Sequence, residues 1–131
     1  MSTVVSMSHP VLNNIELPAT DLDATKAFYT EVFGWKWIDY GPTYSAAQTD
    51  NGLEIGFNTE ATVAPPHDEG EGNAIGPLVL FQADELDANV ARVTESSGSI
   101  RTPPHDFPGG SRFHFQDPSG NVLGIFTLDD R

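Results

Sequence analysis

The sequence predicts an α+β fold made of two tandem copies of one unit, each a strand, a helix and three further strands. Three observations carry this. First, sliding the chain against itself by 64 residues lays 19–34 on 83–98 without a gap, matching Leu22 with Leu86, Asp23 with Asp87, Ala27 with Ala91, Thr30 with Thr94, Glu31 with Glu95 and Gly34 with Gly98. Such self-similarity marks a duplication. Second, both copies run through the same order of β-favouring, capping, helical and turn signals. Third, 38% of the 131 residues are hydrophobic and 12 more are Gly, the composition of a folded chain. The length suits one domain, or one domain of two similar halves.

The first unit opens at residues 13–17, a short β-favouring run. Thr20 and Asp23 can cap a helix through side-chain oxygens. Ala24, Ala27, Phe28 and Val32 then share one face at helical spacing, and Gly34 stands where a left-handed C-cap belongs. Strands are predicted at 35–40, 44–49 and 53–57, parted by Gly41-Pro42 and Asp50-Asn51-Gly52. The second unit repeats this order: a strand at 78–82, caps from Asp84 and Asp87, a face of Leu86, Val90, Val93 and Ser97, and Gly98 as C-cap. Its strands fall at 99–102, 112–116 and 122–127, parted by Pro108-Gly109-Gly110 and Asp117-Pro118-Ser119-Gly120. The chain divides into a flexible start at 1–9, module one at 10–58, an acidic Gly/Pro linker at 59–76 and module two at 77–128.

Six basic residues against nineteen acidic ones give a formal charge of -13. That charge repels a phosphate backbone and an anionic membrane surface alike, so neither nucleic acid nor membrane is an expected partner. Cysteine is absent, which excludes disulfides and thiolate nucleophiles. A metal could be held only by His, Asp, Glu or neutral oxygen. The start lacks the basic and apolar pattern of a leader, and the apolar run at 78–81 is far too short to span a bilayer. A cytoplasmic protein is the expectation.

Asn14-Ile15-Glu16-Leu17-Pro18, Asp21-Leu22, Phe28-Tyr29 ahead of Val32-Phe33-Gly34-Trp35, and Asp117-Pro118-Ser119-Gly120-Asn121 before Leu123-Gly124-Ile125 together resemble the vicinal oxygen chelate superfamily. This superfamily includes glyoxalase I, extradiol dioxygenases and bleomycin-resistance proteins. The resemblance runs over residues 10–127 and is nearest in look to stand-alone proteins related to lactoylglutathione lyase. It implies βαβββ modules whose sheets curl as one mixed sheet around a cavity, a small-molecule ligand and a homodimer. Members with metal chemistry place one ligand on the first and last strand of each module, which falls here on Asn14, Glu54, Leu78 and Gly124. Leu78 and Gly124 have no donor side chain, so the usual four-ligand set is not present and no metal is assigned. A divalent ion held by Glu16, Glu54 and His114 is the one alternative.

Side chains alternate along a strand, which sets Glu16 with Asn14, Gln82 with Leu78, and Val122 and Phe126 with Gly124. The resemblance puts a pocket-lining position three residues before the Asp-Pro turn, on His114, and Arg112 shares its face. Inward polar groups need partners or a ligand. One reading is an internal network in which Arg112 pairs with Glu16 or Glu54 around a neutral His114. The other makes Glu54 a catalytic base and His114 the acid, with Asn14, Glu16, Gln82 and Arg112 binding substrate. The latter describes a lyase or isomerase acting on a small carbonyl compound. The alternative function is non-catalytic sequestering of a small ligand, cationic in view of the protein's charge. His9 falls in the flexible start, and His67 and His105 stand in loops beside proline pairs, where Gly109-Gly110 could hinge His105 over a ligand. Trp35, Trp37, Tyr40 and Tyr44 pack module one or give its cavity an aromatic wall.

Overall fold

The first helix starts at Asp21, whose extended backbone and side-chain oxygen, 3.1 Å from the Ala24 N–H, form an N-cap. It runs Leu22–Phe33 (α1) and stops at Gly34, where φ of 70° lets the backbone N–H turn back to the Thr30 carbonyl. In this computed structural model, which describes residues 8–63 and 77–129, α1 sits between β1 (Asn14–Pro18) and β2 (Lys36–Asp39). Then follow β3 (Tyr44–Gln48) and β4 (Glu54–Asn58). The second unit comprises β5 (Leu80–Gln82), α2 (Leu86–Glu95), β6 (Ser99–Phe107), β7 (Gly110–Gln116) and β8 (Val122–Leu128). The predicted order of one strand, one helix and three strands is thus found twice. Most of the stretch expected as a linker, with His67, lies outside the described residues.

Each unit forms its own four-stranded mixed sheet, in the orders β1-β4-β3-β2 and β5-β8-β7-β6. There is no closed barrel. The first and last strands of each unit run parallel and the others antiparallel. Ile15, Leu17, Ile55 and Phe57 from the first sheet, and Phe81, Phe113, Phe115 and Ile125 from the second, enter one apolar core. α1 supplies its centre: Tyr29 stacks on Trp35 at 5.0 Å, and Phe28 meets Phe115 at 5.9 Å.

Three local expectations need correcting. α1 buries Thr25, Phe28, Tyr29 and Val32, while Ala27 is exposed; the bulky aromatic pair turns the helix about its axis relative to the alanine stripe. Ser97 is likewise exposed, and α2 buries Asn89 and Val93. Gly98 is no left-handed cap, since α2 ends in extended backbone at Ser96. Its missing side chain is needed for packing, because a Cβ there would stand 2.5 Å from Cε1 of Phe28. Finally, β6 continues through Pro103-Pro104 and carries His105 on a strand rather than in a loop. Register irregularities between Thr102 and His105 absorb the prolines, which cannot donate to a ladder.

A buried polar knot ties the two units. Asp117 accepts from the Tyr29 hydroxyl at 2.8 Å, from the backbone N–H groups of Ser119 and Asn121 at 2.9 Å each, and from the Asn121 amide at 2.9 Å. The Asn121 amide also donates to the Pro18 carbonyl at 2.8 Å, and the Thr20 N–H donates to Ser119 Oγ at 2.9 Å. Burial raises the Asp117 carboxyl above its usual range against these hydrogen bonds. Burial, then Asp117 itself, pushes the Tyr29 phenol well up. The Asp-Pro-Ser-Gly-Asn turn therefore serves as the clasp between module two and the start of α1.

Candidate functional site

On the first sheet, register sets Asn14 beside Glu54 and Glu16 beside Gly56, on the face turned away from the core. Tyr44 and Gln48 of β3 share that face. Gly56 makes room there: a Cβ at this position would lie 1.9 Å from the Tyr44 hydroxyl. The hydroxyl therefore lies over the sheet near three polar side chains. Its acidity is weakened by burial first, then by the adjoining Glu16 carboxylate, with Glu54 adding and Asn14 opposing. Gln48 donates to Glu54 at 2.7 Å and Asn58 to Glu16 at 3.3 Å. Tyr40, 59% exposed, meets the Tyr44 ring edge-on at 6.1 Å. The result is an aromatic surface with two carboxylates set into it.

The second sheet has the opposite character. Its outward face bears Gln82 beside Phe126, and Arg112 and His114 on β7 opposite Phe126 and Gly124. The Arg112 guanidinium lies 6.0 Å from the centre of the Phe107 ring. His114 is fully buried, and the His105 ring stands 5.9 Å from it. Gly124 explains how His114 is accommodated, because a Cβ there would sit 3.2 Å from the imidazole Cδ2.

The sequence-based residue set is thus divided: Asn14, Glu16 and Glu54 gather on one sheet, while Gln82, Arg112 and His114 lie on the other. Among the described residues no three His, Asp or Glu side chains group so as to hold a metal, so Glu16, Glu54 and His114 do not converge within the chain. The repeat also misplaces one position. Gly124 lies beside Leu80, and Leu78 precedes the strand. Leu80 leans over the bare glycine, its Cδ2 only 2.5 Å from where a Cβ would be. The family's four-ligand site does not fit this donor set, since hydrocarbon and a glycine occupy the module-two half. Two contributors were underrated in the sequence, Tyr44 and His105. The Tyr44 signal was its diagonal place relative to Gly56, opposite Asn58, from which its ring reaches over the bare glycine, and this is visible only once the strands are in register.

The outer strands β1 and β5 are not paired with each other. Between them opens a groove of about 970 Å³, lined by Ile15, Leu53, Phe33, Trp35, Phe81 and the start of α2 among others. Beside these edges Val11, Leu12 and Leu80 are 63%, 73% and 38% exposed. Among the described residues no helix is long and apolar enough to cross a membrane.

Comparison with known proteins agrees with this architecture. CFP32 of Mycobacterium tuberculosis is 31% identical over 126 residues, covering 89% of this chain and 45% of that protein. The anthracycline biosynthesis protein DnrV of Streptomyces peucetius is 32% identical over 116 residues, covering 87% of this chain and 40% of that protein. The chain therefore spans less than half the length of these curated relatives. Among solved structures, TnmS3, an antibiotic binding protein from Streptomyces sp. CB03234, superposes with a TM-score of 0.71 at 22% identity, covering 95% of this chain and all of the other. The family model of the Glyoxalase/Bleomycin resistance protein/Dioxygenase superfamily matches residues 11–125, and with the duplicated βαβββ architecture this shows that the chain belongs to that superfamily.

Proposed function

We propose that this protein is a sequestering binder of a small organic ligand, held against the outward faces of its two sheets, with a second copy of the chain completing the cavity. One observation carries the reading: the module-two half of the family's metal site is filled by Leu80 over Gly124, whereas module one keeps an open aromatic surface with Asn14, Glu16 and Glu54. Such a surface suits recognition of a flat ligand bearing a cation, through carboxylates and ring faces. The antibiotic-binding role of TnmS3 and the anthracycline context of DnrV support a ligand of drug-like size. The two-copy arrangement is supported by the outer edges of β1 and β5, which no strand among the described residues pairs, and by the apolar side chains exposed beside them. We place the protein in the cytoplasm, where a sequestering role would be exercised.

A second reading, a lyase or isomerase with Glu54 as base, draws on the Gln48 hydrogen bond that holds this carboxylate in one orientation. Calorimetric titration alongside turnover assays with small carbonyl conjugates separates the two. Sequestering predicts one-to-one heat without product. A lyase predicts turnover that Glu54→Gln abolishes while affinity persists. Sedimentation of the unliganded chain as a monomer, together with no ligand raising its melting temperature, would overturn the cavity itself.

A further inference from the structure

The hairpin that joins β3 to β4 turns through Asp50-Asn51-Gly52, and all three residues are exposed. The Gly52 N–H makes only a long hydrogen bond, 3.3 Å to the Thr49 carbonyl, and the Gly52 backbone has a φ of 88°, which suits glycine. The Asn51 side chain folds back over this turn. Its Oδ1 accepts from the Leu53 N–H at 3.1 Å, and the Thr49 hydroxyl stands 2.8 Å from the same oxygen. Asn14, Asn58, Asn89 and Asn121 lie in β1, β4, α2 and the polar knot. Each of those four precedes a β-branched residue, Ile15, Thr59, Val90 or Val122, whose side chain shields its own backbone nitrogen. Asn51 precedes a glycine, which has no such shield.

We propose that Asn51 is a site of spontaneous covalent modification, converted to aspartate and isoaspartate through a cyclic imide. The Gly52 nitrogen, its proton lost to hydroxide, adds to Asn51 Cγ, and the carbonyl electron pair collects on Oδ1. When that carbonyl re-forms, the side-chain nitrogen takes a proton from water and leaves as ammonia. Water then opens the imide. Cleavage between Cγ and the Gly52 nitrogen gives aspartate, and cleavage on the main-chain side gives isoaspartate, with the chain running through Cβ and Cγ. One water enters, one ammonia departs, and nothing is oxidised or reduced. The donors aimed at Oδ1 stabilise the charge that develops there. Isoaspartate adds a carbon to the main chain of a hairpin whose register sets Gln48 against Glu54 and whose Gln48 amide donates to Glu54 at 2.7 Å. The modification therefore loosens the end of β4 that carries Glu54, beginning at the Leu53 N–H that Asn51 holds.

Ageing the intact folded protein in warm neutral buffer, with peptide mapping by mass spectrometry and labelling by an isoaspartate methyltransferase, tests this. Asn51 should convert at least about tenfold faster than Asn58 or Asn121 in the same sample. Its rate should climb with hydroxide concentration, as attack by a deprotonated amide nitrogen requires. Asn51→Gln, whose longer side chain disfavours ring closure, should abolish the label at this turn. Native-state hydrogen exchange reads the consequence. The Leu53 amide should exchange faster in the isoaspartate form than in fresh protein, whereas Asn51→Asp should keep the fresh rate, because a carboxylate oxygen accepts the same bond. Conversion of Asn51 no faster than that of Asn58 and Asn121 would overturn the site. Isoaspartate formed at this turn with unchanged exchange at Leu53 would uphold the site and overturn the loosening of β4.

Discussion

Replacing Asp117 by Asn probes the clasp between the modules. One carboxylate oxygen accepts from the Tyr29 hydroxyl at 2.8 Å and from the Asn121 amide at 2.9 Å. An amide NH2 in its place would present donors to donors, while the other oxygen keeps the Ser119 and Asn121 backbone bonds. Two hydrogen bonds to a charged acceptor are lost, each worth about 1.5 kcal/mol, and relief of a buried charge returns part of that, leaving a net cost of about 2.5 kcal/mol. For 131 residues at about 2.1 cal/mol/K each, the unfolding entropy is about 0.28 kcal/mol/K, so the melting temperature should fall by about 9 °C. Tyr29→Phe, which removes one bond and leaves no buried donor, should cost about 1 kcal/mol, or about 4 °C. In the double variant the Tyr29 loss should largely vanish, because its acceptor has already gone. Differential scanning calorimetry on the four proteins measures this cycle. Strictly additive losses, or a drop of less than about 3 °C for Asp117→Asn, would refute the coupling on which the clasp rests.

The remaining predictions concern packing and titration. Gly56→Ala puts a Cβ 1.9 Å from the Tyr44 hydroxyl and 2.6 Å from Cζ; expelling the ring should cost about 1–3 kcal/mol in urea unfolding, and Tyr44→Ala in the same chain should restore the stability. Gly98→Ala meets the Phe28 ring at 2.5 Å and the Gln116 carbonyl at 3.0 Å, so it should lower the urea midpoint by a similar energy, about 1–3 kcal/mol, without touching ligand affinity. The Tyr29 phenol is raised above 10.0, so the folded state keeps a proton that the unfolded chain releases. Stability is intact below pH 10.0 and declines as pH rises beyond it, and Tyr29→Phe should flatten that decline. Asp117 is raised above 3.8 by burial. Its titration therefore favours the fold most below pH 3.8 and subtracts stability as pH climbs through the interval above, a slope missing from Asp117→Asn.

Strand order and helix positions were legible because they depend on near neighbours. The duplication located both helices, although their N-caps fall one residue later than the Thr20 and Asp84 boxes suggest, at Asp21 and Glu85, and Gly34 announced its own backbone angle. Pairing between distant strands was less legible. Leu78 carries the same apolar signal as Leu80, and only the parallel ladder with β8 decides which of them adjoins Gly124. The same limit applied to the candidate site. Alternation set Glu16 with Glu54 on one face of the first sheet and Arg112 with His114 on one face of the second, as the ladders do, but period-two reasoning does not tell which sheets face one another. The repeat also implied that equivalent glycines do equivalent work, whereas Gly34 supplies a left-handed turn and Gly98 supplies space for Phe28. Equivalent positions retain identity under different local demands when a small residue meets each of them.

The prolines of β6 bear on how copies of the chain can meet. Sheet edges invite further strands, and a protein that leaves all of its edges open risks open-ended fibres. Pro103 and Pro104 lie on the free outer margin of the second sheet, where the ladder to β7 is already irregular. Without N–H groups they cannot dock an incoming strand. At the outer margin of the first sheet, β2 is only four residues long and bears charges at both ends, Lys36 and Asp39. With those margins blunted, an association through sheet edges would have to use β1 and β5. Two copies that met there reciprocally, β1 against β5 on both sides, would close as a pair with no edge left to extend.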